Sequence, residues 1–327
     1  MHYDGGSGTN LPFTQAKKAT YNNPEFMYEG GPNACLHIFG AHSIPLNSNF
    51  DYNQVDCDIV YFWLQGGCGV ELNTLKKFRE STDAIFVLFF DDVYWLDQFT
   101  RNHYLELWRP ITDMMDVLTS GYVGDDQRVT QLGKPWRYLP YPHDIKYYKK
   151  YFKKREEKEN SFFSMIHGRM TKYQRTILIY KALNSMYANK KYYIHPYRFH
   201  TKEQVLKQYP VDFIEFTPVV DDWFDLLSKQ RVQIDEYPCL SQSQVVTQAA
   251  CTGTVTIGHP FNAPTVVCFP KLVFSLNDWQ AWVKGAMMLE TPSIYDAMQK
   301  YAYDAVEDYN FDNFRKRMIT IYREFQK

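Results

Sequence analysis

Twice along this 327-residue chain, short apolar runs alternate with segments of helical periodicity, and that alternation constrains the fold more than any other feature. In the first half the apolar runs are ACLHIFGA (34–41), CDIVYFWLQ (57–65), AIFVLFF (84–90), DVLTSGYV (116–123) and WRYLPYP (136–142), with VELNTLKKFREST (70–82) as an intervening helix. In the second half SFFSMIHG (161–168), KKYYIHP (190–196), VDFIEFTPV (211–219), RVQIDEYP (231–238) and TVTIGHP (254–260) read as strands. The segments KYQRTILIYKALNSMYA (172–188), TKEQVLKQYP (201–210), DWFDLLSKQ (222–230) and SQSQVVTQAACTG (241–253) read as the helices between them, the last ended by Gly253. Strand and helix in alternation predict parallel sheets with helices on both faces, an α/β class. The order predicts two Rossmann-like domains in tandem, each with a ligand edge beyond the carboxyl ends of its strands and a cleft between them.

The length favours two domains over one large one. The expected division is 1–150, 151–300 and a C-terminal helix within 301–327 that packs back on the first domain. Residues 1–33, rich in Gly, Asn and Pro, read as loop, and 292–325 as helical throughout. The charge run DIKYYKKYFKKREEKEN (144–160) reads as a linker or a solvated helix. Thirty-six basic residues against 37 acidic ones leave a net charge of -1, so any contact with a polyanion has to come from a local patch. Aromatic content is 17%, with 26 Tyr and 23 Phe, suited to sugar- or base-binding surfaces, although most of these rings belong to the core. Cys35, Cys57, Cys68, Cys239, Cys251 and Cys268 are scattered without CxxC or zinc-finger spacing, which predicts reduced thiols in a cytoplasmic protein without structural zinc. AIFVLFF is too short to span a bilayer and the N-terminus has no signal-peptide core, so a soluble protein without a membrane partner is expected.

Three stretches could carry chemistry. In FFSMIHGRMTKYQR (162–175) an apolar run stops at Gly168 and is followed by Arg169, Lys172 and Arg175. A helix N-terminus already carries unpaired N–H groups and partial positive charge, so cations there are unfavourable unless an anion occupies the site. The stretch reads as a phosphate cradle, against the alternative of a solvated basic helix start; GxxxxGK[ST] is absent, so it is not a Walker loop. In SQSQVVTQAACTGTVTIG, Ser241, Gln242 and Ser243 are candidate caps, and Gln248 stands beside Ala249 and Ala250, small enough for a ligand to pack closely; an ordinary capped helix explains it too. In FVLFFDDVYW, Asp91 and Asp92 close an apolar strand, where partial desolvation would raise a carboxyl pKa and suit a general base, with a capping carboxylate as the alternative.

Other signals are weaker. DCD (56–58) has the form of a metal-binding DxD but precedes its strand; DGGSG (4–8) lacks a strand to present it; QGGCG (65–69) follows a strand and is either a close-approach turn or a plain one. The basic aromatic clusters YYKKYFKKR (147–155), with Lys150, Lys153 and Lys154, and KKYYIHPYRFH (190–200), with Arg198, are candidate contacts for a phosphate backbone.

Together these motifs resemble the GT-B glycosyltransferases, and among them the bacteriophage DNA glucosyltransferases. FFSMIHGRMTKYQR is similar to the strand, glycine and arginine-rich loop that hold the diphosphate of UDP-glucose, which places donor binding at Gly168, Arg169 and Arg175 with Lys172 added. TQAACTGTVTIG resembles the donor helix in which a Glu before small residues binds the ribose hydroxyls; this chain has Gln248 there, a departure that removes the charge. VLFFDD resembles the strand ending in the catalytic Asp of inverting members, which places the base at Asp91 with Asp92 beside it. RYLPYPHDIKYY resembles the strand that leads into the interdomain linker. The resemblance implies a GT-B fold of two Rossmann-like domains whose parallel sheets face a central cleft, and a nucleotide sugar such as UDP-glucose as co-substrate. It implies no tightly bound cofactor, and it leaves a divalent metal open for activity. The implied acceptor is the hydroxyl of a 5-hydroxymethylated pyrimidine in double-stranded DNA, flipped out of the duplex in the cytoplasm of a phage-infected host, and a monomer is expected. The alternatives are a GT-B enzyme with a glycan or lipid-linked acceptor and an inactive nucleotide- or DNA-binding module of the same fold. The first would carry a basic amphipathic membrane-facing helix, which the first half lacks.

Overall fold

A computed structural model describes residues 51–65, 72–91, 101–121, 131–167, 171–187, 189–197, 201–217, 223–236 and 243–326. The expected strand at 34–41 and the loop at 1–33 lie outside the described residues. The chain divides into two compact units, with boundaries at Asp144/Ile145 and Glu307/Asp308.

The first unit is a parallel sheet in the order β1-β2-β3-β4, formed by Ile59–Gln65, Ile85–Asp91, Val117–Ser120 and Trp136–Tyr138. Its helices are α1 (Leu72–Ser81), α2 (Arg101–Thr112) and the C-terminal α11 (Phe311–Phe325). The unbroken apolar run of β2 has a direct cause, since both of its faces are buried. Phe86 and Leu88 enter one core with Phe62, Leu75, Phe78, Trp108 and Ile111, under α1 and α2. Ile85 and Val87 enter another with Phe314, Met318 and Ile321 of α11. Those three residues recur at helical spacing, and Asn310 caps α11 by accepting the Asn313 N–H at 2.8 Å. Each fully buried Phe or Leu contributes about 1.5–3 kcal/mol relative to exposure, so this helix is held chiefly by its apolar stripe. The DCD stretch precedes β1 at the amino edge of the sheet.

The second unit is a parallel sheet in the order β7-β6-β5-β8-β9, from Glu159–His167 (β5), Lys191–Tyr197 (β6), Ile214–Phe216 (β7), Gln230–Ile234 (β8) and Val255–Ile257 (β9). Around it run α3 (Ile145–Tyr148), α4 (Thr171–Met186), α5 (Lys202–Gln208), α6 (Trp223–Lys229), α7 (Gln244–Thr252), α8 (Ala263–Cys268), α9 (Trp279–Met288) and α10 (Pro292–Ala305). Alternate residues of β5 serve opposite faces. Phe162 stacks on Tyr192 at 5.6 Å, and Tyr192 meets Tyr180 of α4, whereas Phe163 packs with Leu227 of α6 and Ala249 of α7. The chain winds outward from β5 to β7, then returns to β8 on the other side, so the order of winding reverses between β5 and β8. That reversal point is where open parallel sheets take ligands.

Three expectations are corrected. Residues 292–325 are not helical throughout: a 3-10 turn at Val306–Tyr309 and the Asn310 cap separate α10 from α11. The 144–160 run is neither an extended linker nor a continuous helix but α3 followed by 3-10 turns at Lys149–Tyr151 and Arg155–Glu157, its rings turned onto Phe224. Ser243 holds the N-cap position of α7 without a side-chain capping bond; Gly253 does end that helix, at φ 80°. Helices α8 and α9 have no counterpart in the sequence reading. Among the described residues no helix is long and apolar enough to cross a membrane.

Candidate functional site

The polar groups that gather at the carboxyl edge of the second unit come from the ends of β5, β6, β7 and β8 and the helices that follow. Asp235 and Glu236 leave β8 at the reversal point, and both are buried. One Glu236 carboxyl oxygen accepts the backbone N–H of Thr176 at 3.0 Å and also the Thr176 hydroxyl. The other oxygen has no hydrogen-bond partner and lies 3.9 Å from Nε of Arg175. Burial pushes the Glu236 carboxyl up to about 8, outweighing the Thr176 donors and the Arg175 charge that pull it down. At neutral pH Glu236 therefore keeps its proton, and the half-buried Arg175 guanidinium faces a neutral group. A cation held this way is suited to an incoming anion.

A second cluster lies on the α6 and α7 face. His195 of β6 is buried, its Nδ1 is 2.8 Å from the Thr217 hydroxyl just past β7, and burial holds its pKa below the ordinary histidine value. Its ring is tilted against Trp223 at 5.4 Å, and the Trp223 indole N–H donates to the side-chain oxygen of Gln248 at 2.7 Å. Gln248 thus stands at this edge through α6 rather than free on its own helix. Asp235 accepts from the Asn262 amide, and Asn262 in turn caps α8 by accepting the Thr265 N–H at 3.3 Å.

Of the donor-site residues expected from sequence, the structure brings Arg175 and Gln248 to this edge. Gly168, Arg169 and Ser241 lie outside the described residues, and Lys172 is placed only as the second residue of α4. Glu236 and His195 are additions. Glu236 follows the end of β8, a signal like the one that singles out Asp91, whereas His195 lies within β6 (Lys191–Tyr197) and its sequence gives no such cue. In the first unit Asp91 is the last residue of β2, opposite Gln65 of β1 in the register. Asp92 is outside the described residues, as is Arg198.

The basic aromatic cluster is less available than its sequence implies. Tyr148 is fully buried, and Tyr147, Tyr148 and Tyr151 all pack on Phe224. Lys149 pairs with Glu307 and Lys153 with Asp225, the latter at 3.7 Å. Lys150 and Lys154 are exposed, with the Lys150 ammonium 5.2 Å from the Tyr147 ring. Among the described residues no group of three or more His, Cys, Asp or Glu could hold a metal.

No family model and no curated protein matches the sequence. Solved structures do match in fold. The pneumococcal O-GlcNAc transferase GtfA, in complex with UDP and GlcNAc, is 12% identical with a TM-score of 0.56 over 81% of this chain and 56% of its own. Trehalose-6-phosphate synthase OtsA is 10% identical with a TM-score of 0.61 over 82% of this chain and 72% of its own. An alpha-glucosyltransferase in complex with UDP and a 13-mer DNA is 13% identical with a TM-score of 0.54 over 82% of this chain and 80% of its own. This chain thus spans little more than half the length of GtfA. At these identities the likeness is one of fold: the protein consists of two parallel-sheet α/β domains of the GT-B type.

Proposed function

We propose that the protein is a glycosyltransferase that moves a sugar from a nucleotide-sugar donor, UDP-glucose or a similar compound, to a hydroxyl of a 5-hydroxymethylated pyrimidine in DNA. The observation that carries the donor half is Arg175, a cation at the reversal point of the second unit's sheet, facing a carboxyl that stays protonated. Gly168, Arg169 and Lys172 precede it in the chain and complete the proposed diphosphate cradle, while Ser241 and Gln248 bind the nucleoside. Asp91, with Asp92 next to it, is the proposed base. It takes the acceptor's proton as the acceptor oxygen bonds to the anomeric carbon; the bond from that carbon to the diphosphate breaks, and the arginines offset the charge left on the leaving group. Lys150, Lys153, Lys154 and Arg198 are the proposed contacts for the DNA backbone, with Lys150 and Lys154 free to reach it and Lys153 needing to leave Asp225.

The commitment of Lys149 and Lys153 to internal ion pairs favours a second reading, the same transfer to a glycan or lipid-linked acceptor. The experiment that separates the two is nucleoside mass spectrometry after incubation with several nucleotide sugars and duplexes that are unmodified, hydroxymethylcytosine-containing or hydroxymethyluracil-containing. A sugar mass gain on a modified base establishes donor and acceptor together. No gain with donor hydrolysis intact moves the acceptor to a glycan or lipid-linked hydroxyl, and donor binding without any turnover moves the protein to the inactive-module reading.

A further inference from the structure

The hydrogen bond between Trp223 and Gln248 has a direction that follows from chemistry alone. An indole N–H only donates, so the Gln248 atom 2.7 Å from it is the side-chain oxygen. The amide nitrogen is then the end of Gln248 left over, and among the described residues no acceptor engages it. Trp223 cannot rotate freely to release the oxygen: it is the first residue of α6, its ring lies 5.4 Å from buried His195 and 5.9 Å from buried Phe163, and His195 is itself tied to Thr217. Gln248 is 8% exposed, so its position is fixed by packing as well.

We propose that Trp223 is a positioning residue that makes Gln248 an N–H donor to the donor nucleotide, and that the site in consequence does not select ribose over 2′-deoxyribose. This inference rests on the donor-site reading above. A carboxylate at this position would accept from ribose hydroxyls, and a missing hydroxyl would leave a nearly buried charge short of a partner, which is the situation that gives strong discrimination. A neutral carboxamide whose oxygen already holds the indole N–H has no charge to strand. Its N–H groups donate to whichever ribose oxygen remains, or to water. The donor class that fits is the nucleoside diphosphate sugars at large, deoxyribonucleotide as well as ribonucleotide.

The test is calorimetric titration of the full chain with UDP, GDP, ADP and CDP and with the 2′-deoxy form of each. For whichever base binds, the two forms should agree in Kd within about threefold, the loss of at most one neutral, water-replaceable hydrogen bond. Gln248→Glu should raise the preference for the ribonucleotide to about tenfold or more. Trp223→Phe, which keeps a ring and removes the N–H, should also raise it, because the freed side chain can turn its oxygen to a hydroxyl. A merely structural role for Trp223 would change both affinities alike and leave the ratio in place, which would overturn the positioning role. A wild-type preference of tenfold or more for the ribonucleotide overturns the inference while leaving the donor site intact; this measurement needs no variant. Absence of binding by every nucleoside diphosphate overturns the donor-site reading itself, and the inference with it.

Discussion

The two edges of the second unit's sheet draw on similar residues and put them to opposite use. At the amino edge, the buried ammonium of Lys158 donates to the carbonyls of Ser228 at 2.6 Å and Thr252 at 3.0 Å and to the Thr254 hydroxyl at 3.3 Å. Thr254 in turn donates to the Leu227 and Gln230 carbonyls, and Ser161 donates to Gln230. Tyr295 and Gln299 of α10 close the corner on the Gly253 carbonyl. At the carboxyl edge, Glu236 keeps an oxygen without a hydrogen bond, the Gln248 amide nitrogen is unengaged among the described residues, and Arg175 faces a neutral acid. A buried polar group lacking a partner is unfavourable, so the Glu236 oxygen beside Arg175 marks a place where a ligand would supply one. The amino edge is tied together by these bonds, and the carboxyl edge is the one proposed for binding.

Changes at the amino edge should therefore alter stability without altering nucleotide affinity, and those at the carboxyl edge the reverse. The largest effect is expected for Gly253→Ala. Its φ of 80° disfavours any side chain, and an added Cβ would meet the Lys153 carbonyl oxygen at 2.6 Å and Gln299 Nε2 at 2.8 Å. We expect a loss of roughly 3 kcal/mol in urea unfolding, with the affinity of the folded protein unchanged. Lys158→Met should follow at about 1–3 kcal/mol, since it removes the donor to the buried Ser228 carbonyl and one of the donors to the Thr252 carbonyl. A wild-type affinity lost along with the stability in either variant would break the separation of the two edges.

The two edges titrate in opposite senses. Burial lowers Lys158 to about 7 from 10.5, so the unfolded chain holds the extra proton between those values and stability rises with pH across that window. Glu236 is raised from 4.5 to about 8; its contribution is complete below 4.5 and is lost as pH rises through about 8. Ionised Glu236 would also compete for Arg175, so nucleotide affinity should fall as pH rises past about 8, and Glu236→Gln should remove that fall. An affinity profile of Glu236→Gln parallel to wild type would show that the carboxyl plays no part in binding. A smaller effect tests the acceptor side. Replacing Lys150 and Lys154 together by Ala should reduce the salt slope of DNA binding by about 1.8, at about 0.9 for each phosphate contact, and Lys153→Ala should reduce it less.

Much of the fold is legible in the sequence because both sheets are parallel and covered. Apolar runs such as 84–90 mark β2, which has a core on each face, and the Gly253 stop marks the end of α7. The break at 306–310 is harder to see, since the residues on either side keep helical spacing and the Asn310 cap is a single side chain. The basic aromatic run is legible only in part, for a related reason. Its composition does not show that Asp225 and Glu307, distant in the chain, pair with Lys153 and Lys149 and leave Lys150 and Lys154 exposed. Arg175 is legible as a cation past a strand, whereas the carboxyl it meets comes from a different strand 61 positions on, and no local pattern links the two. Trp223 lies 25 residues before Gln248, so their hydrogen bond is invisible for the same reason.

Diphosphate binding at Arg175 is tested by comparing a nucleoside diphosphate with its parent nucleoside on the wild-type protein and on Arg175→Ala. If the carboxyl edge of the second unit binds a diphosphate, the diphosphate should bind far more tightly than the nucleoside, and Arg175→Ala should weaken it by about 10–100-fold, the range for a hydrogen bond to a charged group, while changing unfolding free energy by less than about 0.5 kcal/mol. Equal affinities for the two ligands, or an Arg175→Ala variant that binds the diphosphate as wild type does, would contradict it.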